Sequence, residues 1–198
     1  MSENARASLL LHSCCGPCST AVIERLMDRF DLTVFFYNPN MSDREEYDRR
    51  TAAQRTVIDR FNSIICDGRK INYIECDYEP EEFYKVAKGF ENEPEGGARC
   101  TKCFGLRLEE TAKRAKSENF EYFATTLTVS PHKNYELISK IGNALGEKYN
   151  INYLDECFRK KDGFKRSIEL SKEFGLYRQK YCGCEYSIWW DQDEEKAI

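Results

Sequence analysis

Short apolar segments alternate along the chain with longer segments in which apolar residues recur at helical spacing. The segment "ASLLLHS" is bounded by polar residues and a Gly-Pro pair, which predicts a buried strand. The next segment, "STAVIERLMDRF", places Ala21, Val22, Leu26 and Phe30 on one helical face. "LTVFFYN" predicts a second strand that ends before Pro39, because proline cannot continue a strand ladder.

The same alternation continues toward the carboxyl end. Further strands are predicted in "INYIEC", "YFATTLT" and "INYLDE", and further helices over residues 43–62 and in "EPEEFYKVAKGF", "TKCFGLRLEETAKRAKSE", "HKNYELISKIGNALGEKY" and "GFKRSIELSKEFG". Alternating strands and helices predict a parallel sheet flanked by helices, a doubly wound α/β fold. We expect a single α/β domain over residues 1–198, with a C-terminal segment from about residue 155 that carries a Cys-Gly-Cys motif.

Cysteine usage narrows the class of protein. The chain has ten cysteines, no apolar leader after Met1 and no run near the roughly 18 apolar residues of a membrane span. We therefore expect a soluble, cytoplasmic protein with no membrane partner, in which clustered cysteines serve metal binding or redox chemistry. The net charge of -4 does not favour indiscriminate nucleic-acid binding, although it leaves room for a local basic face.

Two groups of cysteines fall where ligands collect in such sheets. Cys14, Cys15 and Cys18 follow the first strand, and Cys100 and Cys103 lie where a Gly-Gly loop meets a helix. Because ligands bind at the carboxyl ends of parallel strands, we expect the two groups to converge. All-sulfur ligation is compatible with zinc or with an iron–sulfur cluster. Adjacent cysteines are unusual in a zinc knuckle, which favours a cluster.

The remaining cysteines have separate interpretations. Cys182 and Cys184 flank a glycine that can make the turn needed to bring them together, and a disulfide in so small a ring is expected to be strained and labile. A further pair of metal ligands or two free thiols is the alternative. Cys66, Cys76 and Cys157 stand alone, so we expect them to be small buried side chains.

The stretch Cys15-Gly-Pro-Cys18 has the core sequence of a thioredoxin motif. Its place after a strand and at the start of a helix suits that chemistry. However, Cys14 occupies the position where thioredoxin motifs carry tryptophan, and the other clustered cysteines would have no role. A thiol–disulfide oxidoreductase acting through Cys15 and Cys18 is therefore the second hypothesis, and a zinc-stabilised RNA-binding module is the third.

Several long blocks together resemble the epoxyqueuosine reductase family QueH. These blocks are "HSCCGPC", "FFYNPNMSDREEYDRR", "GGARCTKCFGLRLEETA", "FATTLTVSPHKN" and "KKDGFKRSIELSKEFGLYRQKYCGCEYS". The resemblance implies a fold similar to the HUP group, the Rossmann-like adenine nucleotide alpha hydrolases. It also implies reduction of epoxyqueuosine to queuosine at the tRNA wobble position. The Ser-Gly-Gly loop by which many HUP relatives bind ATP is absent from "SCCGPCS", so we do not expect adenylation.

The resemblance also implies the cofactors and site residues. It places a [4Fe-4S] cluster on Cys14, Cys15, Cys100 and Cys103, and a redox-active disulfide between Cys182 and Cys184. The resemblance further implies, for some members of the family, an additional iron ion with an aspartate among its ligands. Cys18 stands at the matching position here and is therefore a candidate ligand of such an iron.

An anticodon loop as substrate would require contacts to phosphates and bases. RNA loops are bound through phosphate contacts and stacking of exposed bases. Arg49, Arg50 and Arg178 are candidates for the phosphate contacts, and Tyr181 is a candidate for stacking. The reaction also needs an electron donor, which the sequence does not identify, and a proton donor, for which His12 is one candidate by chemistry alone.

Overall fold

The computed structural model describes residues 6–187 and contains one five-stranded parallel sheet with helices on both faces. The strands are β1 (Ala7–His12), β2 (Phe30–Phe36), β3 (Asn72–Glu75), β4 (Tyr122–Thr125) and β5 (Asn152–Tyr153), in the spatial order β3-β2-β1-β4-β5. The helices are α1 (Gly16–Leu26), α2 (Arg44–Ile64), α3 (Pro80–Ala87), α4 (Ala98–Ser117), α5 (Tyr135–Tyr149) and α6 (Gly163–Glu173), and 3-10 turns lie at Thr126–Val129 and Glu185–Ser187. This architecture confirms the predicted Rossmann-like α/β fold.

Two boundaries differ from the predictions in ways that affect the cysteines. Helix α1 begins at Gly16 rather than at Ser19, because Pro17 suits a first helical turn, and Cys18 therefore lies inside the helix. Strand β4 ends at Thr125, whose Oγ1 accepts a hydrogen bond from the Leu127 amide (3.2 Å) and starts the 3-10 turn. The chain that follows β4 beside Cys14 is therefore a 3-10 turn and not a continuation of the strand.

The apolar run of β1 is buried on both faces of the sheet. Leu9 and Leu11 pack in the core beneath α1 and α2, together with Val22 and Val57. Leu10 points to the opposite face and packs with residues of α4 and β4. A fully buried parallel strand explains why this segment is apolar at successive positions instead of alternating.

The order of the strands creates a switch point between β1 and β4. Helix α1 leaves β1 toward one face, whereas the chain after β4 returns through α5 on the other face, against α4. In open α/β sheets, ligands bind at the carboxyl ends of the strands that flank such a point. The loop with Cys14 and Cys15 lies there. Within residues 6–187, no helix combines the length and the apolarity of a membrane span.

Candidate metal centre and thiol site

Three sulfur atoms form a compact group after β1. The thiols of Cys14, Cys15 and Cys18 all lie within 4.8 Å of one another, and the Cys14 and Cys15 sulfurs are 3.8 Å apart. Cys14 and Cys15 are buried and Cys18 is half-buried. A buried set of three thiols is a fitting donor set for a thiophilic metal or a metal–sulfur cluster.

Hydrogen bonds from two distant segments fix the positions of these sulfurs. The amide of Cys14 donates to Thr126 Oγ1 (3.3 Å), and this hydroxyl lies 3.6 Å from the Cys14 sulfur, to which it donates. Gln179 Nε2 donates to the Cys15 sulfur at 2.8 Å. Such hydrogen bonds to ligand atoms orient a metal site and tune its potential.

The three thiols titrate as a set. Hydrogen bonds from Cys15 and Cys18 lower the pKa of Cys14 well below its ordinary value. Burial raises the pKa of Cys15 to about 12, and hydrogen bonding to Cys14 and Cys15 raises the pKa of Cys18. The metal-free site therefore favours one thiolate next to two thiols, and a metal that takes all three ligands must displace the remaining protons.

Two cationic side chains face this sulfur group. Arg107 is only 1% exposed, donates through Nη2 to Asn38 Oδ1 (2.6 Å) and forms no ion pair with a carboxylate in the part of the chain that the structure describes. Burial lowers the pKa of Lys133, but the nearby thiols of Cys182, Cys14 and Cys18 outweigh burial and raise it. A buried cation without a carboxylate partner requires another anion, and a thiolate–metal centre would supply one.

The cysteines of α4 border the same region. Cys100 packs against the cluster that contains Cys14, Cys15 and Phe104, and the amide of Gly96 donates to its sulfur (3.2 Å). Cys103 is buried one turn further on, in a neighbouring apolar cluster. Thiols from the first crossover and from the glycine-rich loop thus lie in one region. Neither α4 cysteine belongs to the compact three-sulfur group, however, and Cys18 takes part in it.

The Cys-Gly-Cys segment (residues 181–184) lies against α4. Cys182 lines a small cavity together with Cys100, Phe104 and Lys133, and buried Cys184 packs in the cluster that contains Cys103. Both cysteines are free thiols in this structure, so their disulfide stays a prediction. Burial raises the pKa of Cys184 to about 12.

The four residues predicted to contact RNA occupy different environments. Arg49 is half-exposed and paired with Glu46 of its own helix and with Asp43 just before that helix, and exposed Arg178 donates to Ser171 Oγ (3.2 Å). The Tyr181 ring lies beneath the Arg50 guanidinium, 5.4 Å from ring centroid to Cζ. Arg50 itself is 2% exposed and hydrogen-bonded within the protein. This buried position does not favour a contact with phosphate groups, and that contact stays a prediction.

The structure also shows the surroundings of the isolated cysteines, of the Cys15 thiol and of His12. Cys157 is buried as expected and Cys76 is half-buried, but the expectation was wrong for Cys66, which is exposed. The thioredoxin hypothesis loses support, because attack by Cys15 requires an accessible thiolate and this thiol is fully buried with a raised pKa. Burial and the charge of Arg107 lower the pKa of His12 to about 3, so the imidazole is neutral near pH 7.

Comparison with known protein families identifies the relationship. The family "Epoxyqueuosine reductase QueH" matches residues 9–189 of this sequence. The chain belongs to the QueH family. A QueH-family protein of Streptococcus pyogenes serotype M1, named epoxyqueuosine reductase QueH, is 42% identical over 185 residues, which cover 93% of this chain and 72% of that protein. A relative of the same name from Staphylococcus epidermidis is 43% identical, over 93% of this chain and 78% of that protein. Another from Thermotoga maritima is 36% identical, over 91% of this chain and 90% of that protein.

Membership in the QueH family directs attention to the thiol region rather than to the larger cleft. A cleft of about 700 Å³ lies at the opposite end of the sheet, lined by Lys116, Asn143, Tyr153 and neighbouring residues but by no cysteine. Sequence reasoning missed Lys133, Arg107 and Gln179. Lys133 follows the Ser-Pro turn after β4 and could have been found from that position, whereas the other two depend on tertiary packing.

Proposed function

We propose that this protein reduces epoxyqueuosine in tRNA to queuosine. The observation that carries the proposal is the thiol region at the switch point between β1 and β4, in a chain that matches the QueH family over residues 9–189. The relatives named above carry the name epoxyqueuosine reductase. Cytoplasmic tRNA is the substrate that this activity requires.

Conversion of an epoxide to an alkene consumes two electrons and two protons and releases water. Oxidation of two thiols to a disulfide releases two electrons and two protons, so one dithiol balances one turnover. Cys182 and Cys184 are the pair that we assign to this role, because Cys182 lines the cavity beside Cys100. An external electron donor then reduces the disulfide again.

The resident cofactor in this proposal is a [4Fe-4S] cluster. Cys14, Cys15, Cys100 and Cys103 would hold it, with Cys18 beside them as a ligand for an additional iron ion. When bound, such a centre supplies electron transfer in single steps and a Lewis-acidic iron that can stabilise an oxygen leaving group. The buried thiols, the lowered pKa of Cys14 and the facing cations fit this group.

Residues of the chain itself provide the surroundings of the reaction. Lys133 and Arg107 place positive charge beside the region where oxygen would acquire negative charge. Phe104 lines the cavity and is mostly buried, so it excludes water from that wall. Arg49 and Arg178 remain candidates for phosphate contacts, and Tyr181 for stacking on a base.

We also infer that the chain is a single domain. Helix α6 packs along α1, and the segment that follows α6 contacts α2 and the Cys15 thiol. The Cys-Gly-Cys segment is therefore an integral wall of the thiol region.

The direct test is anaerobic incubation of the purified protein with tRNA that carries epoxyqueuosine, followed by nucleoside analysis. We expect queuosine to form with the wild type, and not to form with Cys14→Ser. Cys66→Ser, which changes an exposed cysteine, is the matched control and should retain activity. A brown protein with broad absorption near 400 nm would support the cluster, whereas a colourless protein with bound zinc and no conversion would favour the RNA-binding module.

A further inference from the structure

Each of the three guanidinium nitrogens of Arg50 donates a hydrogen bond within the protein. Its Nε donates to Glu46 Oε1 (2.6 Å), Nη1 donates to the carbonyl of Cys182 (3.0 Å) and Nη2 donates to the carbonyl of Tyr181 (2.9 Å). The side chain is 2% exposed and its ion-pair partner Glu46 is 1% exposed. One buried ion pair on α2 therefore binds two consecutive carbonyls of the Cys-Gly-Cys segment.

Neighbouring groups complete this attachment. The second carboxylate oxygen of Glu46 accepts a hydrogen bond from the Tyr177 hydroxyl (2.7 Å), so both oxygens have partners. The amide of Ser42 donates to the carbonyl of Gly183 (3.1 Å). Each of the three consecutive carbonyls from residue 181 to residue 183 is thus bound by the start of α2 or the loop before it.

The glycine of the segment is required by the same contact. Gly183 has φ of +103°, a conformation that side chains with a Cβ rarely adopt. A Cβ at this position would lie 3.1 Å from Arg50 Nη1 and 3.1 Å from Met41 Cγ. The backbone between the two cysteines is therefore both turned and pressed against the guanidinium.

The charge of Arg50 also acts on sulfur. Burial lowers the pKa of Arg50, but the negative charges of Cys15, Glu46 and Cys182 outweigh burial and raise it. Both cysteines are free thiols in the conformation that these contacts hold.

We propose that Arg50 is a positioning residue for the Cys182 and Cys184 pair: it holds the segment in the conformation of the free dithiol and so raises the reduction potential of the pair. The inference rests on the proposed function in assigning redox chemistry to this pair. Stabilising the reduced form of a dithiol raises its reduction potential. Without Arg50, the two thiols should be oxidised to the disulfide more readily, and the disulfide should be reduced less readily.

The test measures the reduction potential of the pair without any turnover. The purified protein is equilibrated, without oxygen, with a mixture of oxidised and reduced glutathione. In this exchange the two thiols of the protein become a disulfide, and one molecule of oxidised glutathione becomes two molecules of reduced glutathione. Alkylation and trypsin digestion then yield one peptide, residues 181–196, that contains both cysteines. Its mass gives the oxidised fraction.

We expect Arg50→Met to raise the equilibrium constant for oxidation about tenfold, which lowers the potential by about 30 mV. Arg50→Lys keeps the charge but cannot bind both carbonyls and Glu46 together, so it should fall between Arg50→Met and the wild type. Arg55→Met is the matched control, since Arg55 lies on the same helix and pairs with Glu75 at the surface, away from the segment. This control should keep the wild-type potential.

Several results would overturn the proposal. A wild-type potential in both Arg50 variants, or an equal shift in Arg55→Met, would show that Arg50 does not position the pair. If Arg50→Met does not fold, as judged by circular dichroism, Arg50→Lys and Glu46→Gln decide the question. A wild-type pair that never forms a disulfide refutes the role of Arg50, whereas absent tRNA conversion with the expected potential shift refutes only the proposed function.

Discussion

The buried, neutral state of His12 predicts a specific dependence of stability on pH. Its Nδ1 lies 2.8 Å from Thr125 Oγ1, and its Nε2 lies 3.2 Å from the carbonyl of Tyr37 and 3.3 Å from Arg107 Nε. The pKa of His12 is about 3 in the folded protein and 6.5 at its ordinary value. Because the folded pKa is the lower one, protonation below pH 6.5 favours the unfolded chain.

The size of this effect follows from linkage between proton binding and folding. Above pH 7 the imidazole is neutral in both states and contributes nothing to the pH dependence. At pH 5 the solution is about 1.5 pH units below the pKa that His12 has in the unfolded chain. The free energy of unfolding is therefore about 2 kcal/mol lower at pH 5 than at pH 7.5. The loss should grow as the pH falls toward 3.

Urea unfolding of the metal-free protein at pH 7.5 and pH 5.0 provides the assay. His12→Gln removes the titrating group, so the difference in unfolding free energy between the two pH values should shrink by about 2 kcal/mol relative to the wild type. His132→Gln, which removes the exposed histidine, should keep the wild-type difference. An unchanged pH dependence in His12→Gln would refute the assignment of a buried neutral imidazole.

Two further predictions concern the thiol group and the Cys-Gly-Cys segment. Cys18→Ser should lower the metal affinity of the thiol group at least about tenfold, because loss of even a residue that hydrogen-bonds to a metal ligand costs that much. Metal analysis after dialysis against a chelator checks this. A metal affinity equal to that of Cys66→Ser would contradict it. Gly183→Ala should lower the free energy of unfolding, measured in urea, by about 1–3 kcal/mol, because Gly183 has a positive φ and lies close to the Arg50 guanidinium. Gly105→Ala is the control: Gly105 lies in α4 with open space around it, so this change should be neutral or stabilising. Equal effects of the two changes would refute the strain at Gly183.

The sheet was predictable because local sequence carries its signals. The apolar run Leu9–Leu11 has no polar residue to alternate with, which identifies a strand buried on both faces, and Pro39 ends the segment that follows β2. The placement of Cys14 and Cys15 after β1 then follows from the rule for carboxyl ends of parallel strands.

Details of the site were not predictable from the same patterns. The arginine at position 50 looks like any surface charge on an amphipathic helix, and its burial depends on a segment 131 residues away in sequence. Cys18 joins the other two sulfurs only because α1 begins at Gly16. Such contacts are set by tertiary packing, which local periodicity does not encode.

The central claim is that thiols from the β1 loop and from α4 serve one iron centre. Anomalous diffraction at the iron edge from crystals grown without oxygen tests it most directly. We predict iron bonded to Cys14 and Cys15 and also to a cysteine of α4. Iron absent from this region, or a zinc signal in its place, would contradict the claim.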